Sequence, residues 1–233
     1  MEKPLCIIVG VGPGNGLALC NRFIQASYRV AILARDLTRM QEYASEHEDI
    51  SPYSCDVSNL ESIEATFAEI RTKLGVPEVV IYNAGSGVFA APLNTSYENF
   101  EKSWRINSLG LLAVAKTVVP SMVENGGGSL LVTGATASLR GGANFAAFSS
   151  SKAAQRNLSQ SLARSLGHQG IHVALVIVDG VIDIPRTRQR SPDTPDENYL
   201  KPAAIADTFY QLSQQDQSAW TFEIDLRPNT ENW

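Results

Sequence analysis

Residues 5–17 read LCIIVGVGPGNGL, and this stretch decides the fold. Its first five residues are apolar without interruption, which is typical of a strand buried on both faces. Glycines follow at Gly10, Gly14 and Gly16, directly before an apolar helical pattern. The order predicts a strand, a tight glycine turn and a helix N-terminus whose free amides can bind phosphate, as in dinucleotide sites. A strand–helix turn with incidental glycines is the alternative.

The remaining chain alternates short apolar runs with longer helical patterns. This alternation predicts an α/β fold, a doubly wound parallel sheet of about seven strands with helices on both faces, in a single domain over 1–233. Strands are predicted at 5–9, 30–33, 50–55, 78–82, 129–132, 171–178 and 220–226. Helices are predicted at 14–27, 36–48, from 58, and at 97–124, 148–166 and 202–214.

Three local features refine this prediction. Asp36 is the expected N-cap of the second helix, and Ser58 that of the third, where Glu61 completes a capping box. The segment 183–200 has three prolines before Tyr199 and little periodicity. It is expected to be a mobile substrate loop over a site.

Composition excludes several classes of function. The chain has 233 residues, is 44% hydrophobic and carries a net charge of −5, so it is not a disordered chain. The acidic balance argues against nucleic-acid and anionic-membrane partners. Three cysteines and three histidines show no ligand spacing, so no metal site is expected. No signal peptide is apparent, and a cytoplasmic location is the default expectation.

Further motifs fall at the ends of later strands and within the helices. They are Asp56-Val57, Asn83-Ala84-Gly85, Asn107 and Ser151-Lys152-Ala153-Ala154. Together with the glycine loop, they make the chain similar to the short-chain dehydrogenase/reductase family over essentially its full length. The resemblance implies a Rossmann-type fold with NAD or NADP along the carboxyl edge of the sheet.

The resemblance also implies a set of cofactor contacts. NADP is favoured over NAD, because Ala34 stands where NAD-dependent members carry an acidic residue and the guanidinium of Arg35 suits a 2′-phosphate. A solvated surface charge is the alternative for Arg35, and a purely structural turn is the alternative for Asn83. The expected cofactor-binding residues are Gly10, Gly14, Asn15, Gly16, Arg35, Asp56, Val57, Asn83, Ala84, Gly85, Lys152, Gly180 and Ile182.

The catalytic centre departs from the family. The family's usual catalytic residues are Asn, Ser, Tyr and Lys. By resemblance, Asn107 and Lys152 match the Asn and the Lys, but Phe148 stands at the Tyr position and Ala135 at the Ser position. Loss of a general acid commonly costs ~10²–10⁴ in rate, and loss of an oxyanion donor ~10²–10³. Replacement hydroxyls lie nearby in sequence. Ser138 and Tyr199 are the candidates retained, beside Thr133, Thr136 and Ser149.

Three functions fit these observations to different degrees. The first is an NADP(H)-binding oxidoreductase with a non-standard proton route, such as reduction of an activated C=C bond. The second is a catalytically silent dinucleotide sensor or regulatory partner. A methyltransferase is the third, and it fits the glycine loop but not Lys152 and Asn107. The expected partners are a small-molecule substrate and, by resemblance, further copies of the chain in a homodimer or homotetramer.

Overall fold

A computed structural model describes residues 3–231, with the exception of the side chain of Arg39. The strands are β1 (Leu5–Val9), β2 (Arg29–Ala34), β3 (Ile50–Ser54), β4 (Val79–Tyr82), β5 (Gly128–Ala135), β6 (Ile171–Val178), β7 (Val181–Ile182), β8 (Tyr199–Leu200) and β9 (Glu223–Leu226). Seven of them form one parallel sheet in the order β3-β2-β1-β4-β5-β6-β9. The predicted sheet is therefore confirmed.

The helices cover both faces of this sheet. They are α1 (Asn15–Gln25), α2 (Thr38–Ser45), α3 (Leu60–Leu74), α4 (Tyr97–Trp104), α5 (Gly110–Glu124), α6 (Ala146–Leu166), α7 (Pro185–Arg190) and α8 (Pro202–Ser213). Alternate strand residues enter two apolar cores: Ile7 packs with α3 and α5, and Ile8 packs with α1 and α8. Burial on both faces explains why the strand sequences are almost uninterrupted apolar runs.

The strand order reverses between β1 and β4. The strands that follow β1 lie on one side of it, and those that follow β4 lie on the other side. In open α/β sheets, ligands bind in the crevice outside the carboxyl ends of the strands at such a point. The glycine loop after β1 and the turn at 83–85 after β4 meet there. The topology therefore places the predicted site at the centre of the sheet's carboxyl edge.

Both predicted N-caps are wrong by one residue. α2 begins at Thr38, and its cap residue is Leu37 and not Asp36. The Asp36 carboxylate accepts a hydrogen bond from the backbone amide of Thr38 (2.9 Å). In α3 the cap is Asn59, which accepts the amides of Glu61 and Ser62, while the Ser58 hydroxyl donates to Asp56. Asn and Ser are near-equal caps, so local sequence does not decide between adjacent candidates.

The helix predicted over 97–124 is continuous but contains a π-helical turn, Arg105–Leu109, between α4 and α5. Such turns mark functional sites in many helices, and this one carries Asn107. By length and composition, Tyr97–Glu124 is apolar enough to cross a membrane, but 50% of its most apolar window is buried inside the protein. Leu111, Val114 and Val118 in its α5 part are buried in the apolar core.

The segment 183–200 is more regular than its composition indicates. It contains α7, and its last residues form β8, which pairs with β7 in a small parallel sheet. Arg188 joins its two ends, donating to Asp183 (2.7 and 2.9 Å) and to Asp196 (2.5 Å). Pro185 occupies the first helical turn, where proline is tolerated. The sequence did not predict this short helix and strand, which proline and ion pairs organise, and the mobility expected for the segment stays a prediction.

Candidate functional site

The glycine loop is shaped by close backbone contacts. Gly10 has φ +91°, and a Cβ built on it would lie 2.5 Å from the backbone N and Cα of Ala84. A Cβ on Gly16 would lie 2.6 Å from Cα of Val11. Only glycine fits these two positions without movement of the backbone. The loop and the turn after β4 therefore pack directly on each other.

One prediction follows from this contact. Gly10→Ala should lower the free energy of unfolding by about 1–3 kcal/mol, because it combines a positive φ with a backbone clash. Gly12→Ala is the matched control in the same loop, since a Cβ at Gly12 meets no atom within 4 Å. Urea unfolding of the two variants measures the difference. Equal stability of both variants would contradict the packing described here.

Asn83 links three strands at the carboxyl edge. Its Nδ2 donates to the Gly10 carbonyl (2.7 Å), and its Oδ1 accepts from the Thr133 hydroxyl at the end of β5 (3.0 Å). Its backbone amide donates to the Val9 carbonyl (2.9 Å). These contacts give Asn83 the structural role that the sequence left open for it.

Lys152 continues this network from α6. Its Nζ donates to the Thr133 carbonyl (2.8 Å) and to Oε1 of Gln155 (2.9 Å). The side chain is buried, and among residues 3–231 no carboxylate forms an ion pair with it. Burial lowers the pKa of Lys152 to about 7. The amine is thus held by neutral acceptors at the edge of the sheet.

Asn107 and Lys152 both lie next to Gly85. A Cβ on Gly85 would lie 3.4 Å from Oδ1 of Asn107 and 3.8 Å from Nζ of Lys152. Asn107 Nδ2 donates to the Ser103 carbonyl (2.9 Å) and to the Ser151 hydroxyl (3.1 Å), which fixes the amide. Its buried Oδ1 has no hydrogen-bond partner within the described chain.

A second buried oxygen without a hydrogen-bond partner lies at the glycine loop. It is Oδ1 of Asn15, which has no partner among the described residues. A buried polar atom without a partner is costly, and a bound ligand is one way to satisfy it. The two partnerless oxygens, the Lys152 amine beside Gly85 and the amides of the α1 N-terminus lie along one edge. The amides and the amine are donors that fit pyrophosphate and ribose oxygens, and the two amide oxygens are acceptors that fit ribose hydroxyls.

Arg35 and Asp56 follow β2 and β3. The Arg35 side chain is exposed. Burial acts to raise the pKa of Asp56, but hydrogen bonds from Ser58 and the charges of Arg35 and Lys102 outweigh it and hold that pKa below its ordinary value. Asp56 is therefore an ionised acceptor at neutral pH. Val57, which follows it, is buried.

The far end of the site is covered by the segment after β6. Gly180 has φ +147°, and a Cβ there would lie 2.9 Å from Pro228. The Ile182 carbonyl accepts from the Thr187 hydroxyl (2.5 Å). Cγ2 of Ile184 reaches within 2.7 Å of the position that a Cβ on Gly14 would take. The 183–200 segment thus touches the glycine loop.

No replacement for the missing tyrosine stands out among the five candidate hydroxyls. Tyr199 is buried and donates to the Ser191 carbonyl (2.9 Å), with the Arg188 guanidinium over its ring. Ser138 donates to the Ala135 carbonyl (2.7 Å). The other three also donate to protein acceptors: Thr133 to Asn83, Thr136 to Asp179 and Ser149 to Phe145. Each proton is already engaged within the protein.

Sequence reasoning missed two components of the site. Gln155 is fully buried and accepts from Lys152, and its spacing of three residues on one helix is a signal that was available. Three phenylalanines, Phe89, Phe145 and Phe148, form an aromatic cluster beside the site. Phe89 comes from a loop distant in sequence, so no local pattern indicates this cluster.

Comparisons with known proteins agree with this geometry. The short chain dehydrogenase family profile matches residues 5–195. Carbonyl reductase family member 4 of Xenopus laevis is 28% identical over 190 residues, which is 82% of this chain and 80% of that protein. The chain belongs to the short chain dehydrogenase family and is by that resemblance an oxidoreductase.

Two solved structures extend the likeness to the whole chain. A short-chain dehydrogenase from Rhodopseudomonas palustris is 31% identical, with a TM-score of 0.83 over 97% of this chain and 98% of that chain. An alcohol dehydrogenase from the archaeon Thermococcus sibiricus, complexed with 5-hydroxy-NADP, is 26% identical, with a TM-score of 0.87 over 99% of each chain.

Proposed function

We propose that this protein is an NADP(H)-binding oxidoreductase that acts on a small molecule without the family's tyrosine as proton donor. The observation that carries the proposal is the pair formed by Lys152 Nζ and the partnerless Asn107 Oδ1, which both lie next to Gly85. The alcohol dehydrogenase of similar structure, complexed with 5-hydroxy-NADP, supports the choice of cofactor. All three cysteines are free and buried, which fits a reducing compartment such as the cytoplasm.

Each group of the site has a part in this proposal. Amides at the N-terminus of α1 hold the pyrophosphate, as at other helix N-termini. Lys152 donates to the ribose hydroxyls next to the nicotinamide, and Asn107 accepts from the same region. Asp56 and Val57 border the adenine. When bound, the reduced cofactor supplies a hydride.

Arg35 provides the test of cofactor choice. Arg35→Ala should weaken NADPH binding roughly tenfold or more, because a hydrogen bond to a charged group contributes about 1.5–3 kcal/mol. NADH carries no 2′-phosphate, so its affinity should not change. Calorimetric titration of both dinucleotides measures the two constants.

Arg71→Ala is the control for this experiment. Arg71 is also exposed, but it lies near the end of α3, away from the carboxyl edge, so the variant loses the same charge without the proposed contact. Equal loss of NADPH and NADH affinity in Arg35→Ala, or no loss for either, would contradict the assignment.

A catalytically silent dinucleotide-binding protein is the second candidate. The observation in its favour is that all five candidate hydroxyls donate to protein acceptors. The two candidates differ in turnover and not in affinity. Saturable NADPH binding with no NADPH oxidation by any class of acceptor would favour the silent protein.

The proposed assembly is a homodimer or homotetramer through α4–α5 and α6. The core takes up most of the apolar residues of α5, including Leu111, Val114 and Val118. Exposed apolar surface comes instead from Tyr97, Phe100, Trp104 and Leu112. Tyr97, Phe100 and Trp104 follow one another at spacings of three and four on α4, so they share one exposed helix face, which fits an interface.

We expect light scattering to report a dimer or tetramer at micromolar concentration, and Trp104→Glu to shift the protein toward monomer by placing a charge in the interface. Glu64→Gln, a change at an exposed position of α3, is the control and should leave the mass unchanged. A monomeric wild-type protein would refute the proposed assembly.

A further inference from the structure

The aromatic cluster of Phe89, Phe145 and Phe148 is held in place by backbone contacts. Ring centroids of Phe89 lie 5.1 Å from Phe145 and 5.5 Å from Phe148, both edge to face. A β-bridge between Ala90 and Phe145 fixes the loop after β4 against the start of α6. Phe89 is 47% exposed and Phe145 is 38% exposed. The rings therefore present aromatic surface to solvent.

The cluster stands next to the Lys152 end of the site. Phe148 precedes Lys152 by four residues on α6, and residues at this spacing share a helix face. α6 also packs against the turn 136–138, directly after Ala135. A substrate that approaches this end meets phenylalanine rings and an alanine methyl group, while the nearby hydroxyls donate to protein acceptors.

Such an apolar wall discriminates between substrates by charge. Hydride transfer from a neutral dihydronicotinamide to a neutral ketone creates an oxyanion and a pyridinium cation, and new charge is costly where no donor stabilises it. Transfer to a substrate that is already cationic creates no new charge, because the positive charge moves from the substrate to the nicotinamide. Aromatic ring faces also attract organic cations.

We propose that the site takes an organic cation whose hydride-accepting carbon belongs to an iminium (C=N⁺) bond. This inference rests on the proposed NADP(H)-dependent function and names the substrate class of that same site. The iminium carbon gains a hydride and forms a C–H bond, and the π electron pair moves to nitrogen and neutralises it. The substrate is reduced to an amine, the dinucleotide is oxidised, and no proton enters or leaves.

Binding tests the inference without turnover. In the presence of NADPH, the quaternary N,N-dimethyl-tetrahydroisoquinolinium ion should bind roughly two- to thirtyfold more tightly than dimethyltetralin, its neutral carbon isostere. Phe148→Leu keeps an apolar side chain but removes a ring face, and it should abolish most of this preference. Phe89→Leu, in the loop, is a second variant that does not depend on the stability of α6.

Turnover tests it independently. After subtraction of the uncatalysed rate, kcat/KM for the N-methyl-dihydroisoquinolinium ion should exceed that for tetralone, a ketone of similar size, by roughly 100-fold or more. An NADPH titration of the same sample separates the two proposals. Failure to bind NADPH overturns both, whereas normal NADPH binding with no preference for the cation, in binding or in turnover, overturns the substrate class alone.

Discussion

Phe148→Tyr combined with Ala135→Ser should raise NADPH-dependent reduction of a small ketone by about 100-fold or more over the wild type. The tyrosine hydroxyl would lie one helical turn from Lys152, whose amine can lower its pKa. The serine would supply a donor to the developing oxyanion. Each single change should do little, because the proton donor and the oxyanion partner act as a unit.

The control for this experiment places the second hydroxyl at the wrong position. Phe148→Tyr with Ala137→Ser carries the same two new hydroxyls, but the serine lies two residues further along, in the turn 136–138. Steady-state NADPH oxidation by the wild type, the single variants and both double variants gives the comparison. Equal gains in the two double variants would show that Ala135 has no special place opposite the substrate.

Lys152→Met should stabilise the fold while it weakens NADPH binding. The buried amine has a pKa of about 7, against about 10.4 for lysine in an unfolded chain. Between these values the unfolded chain binds a proton that the folded chain does not, so the wild type loses stability as pH falls. From pH 9 to pH 7 this loss amounts to roughly 2 kcal/mol, and it should be absent in the variant.

Two measurements check both halves of this prediction. Urea unfolding at several pH values should show that the stability difference between variant and wild type grows as pH falls toward 7. NADPH affinity should fall roughly two- to tenfold, which is the loss expected for a hydrogen bond from an amine that is largely neutral above pH 7. Lys116→Met changes an exposed lysine on α5 and should alter neither quantity. A variant that is less stable at every pH would contradict the account of the buried amine.

Lys152 is expected to lower the stability of the fold and to strengthen NADPH binding. A buried amine with neutral acceptors costs stability, and a methionine would fill the same space at lower cost. Such residues cluster at functional sites. The position of Lys152 beside the partnerless oxygen of Asn107 is therefore better explained by a ligand than by the fold alone.

Sequence reasoning predicted the sheet well because its signals are local. An uninterrupted apolar run marks β1 and a run broken only by His172 marks β6, each to the residue, and glycines mark the turn between β1 and α1. The predicted N-cap of α3 failed because Ser58 and Asn59 are adjacent and nearly equal as caps. In α2, Asp36 accepts a hydrogen bond from the Thr38 amide, but the helix begins one residue later than predicted, after Leu37. The order within 183–200 was missed because it depends on Arg188 meeting two carboxylates, which is a tertiary fact.

The candidate site also has one part that the sequence predicted and one part that it did not. Gly10, Asn83 and Lys152 carry motifs that the sequence displays, and the structure brings them into one hydrogen-bonded network. Phe89 joins Phe148 only because the loop after β4 folds back against α6. A local sequence pattern does not predict a contact between residues that are so far apart in sequence. The chemistry of the substrate end was therefore visible only in three dimensions.

We propose that a cofactor site lies beside a centre that lacks the groups for ordinary carbonyl reduction. The most direct test is the rate at which the wild-type protein oxidises saturating NADPH with a panel of small ketones. We expect rates at least about 100-fold below the ~10 s⁻¹ that is typical of enzymes. Turnover of simple ketones at that ordinary rate would contradict it, because another group would then supply the proton.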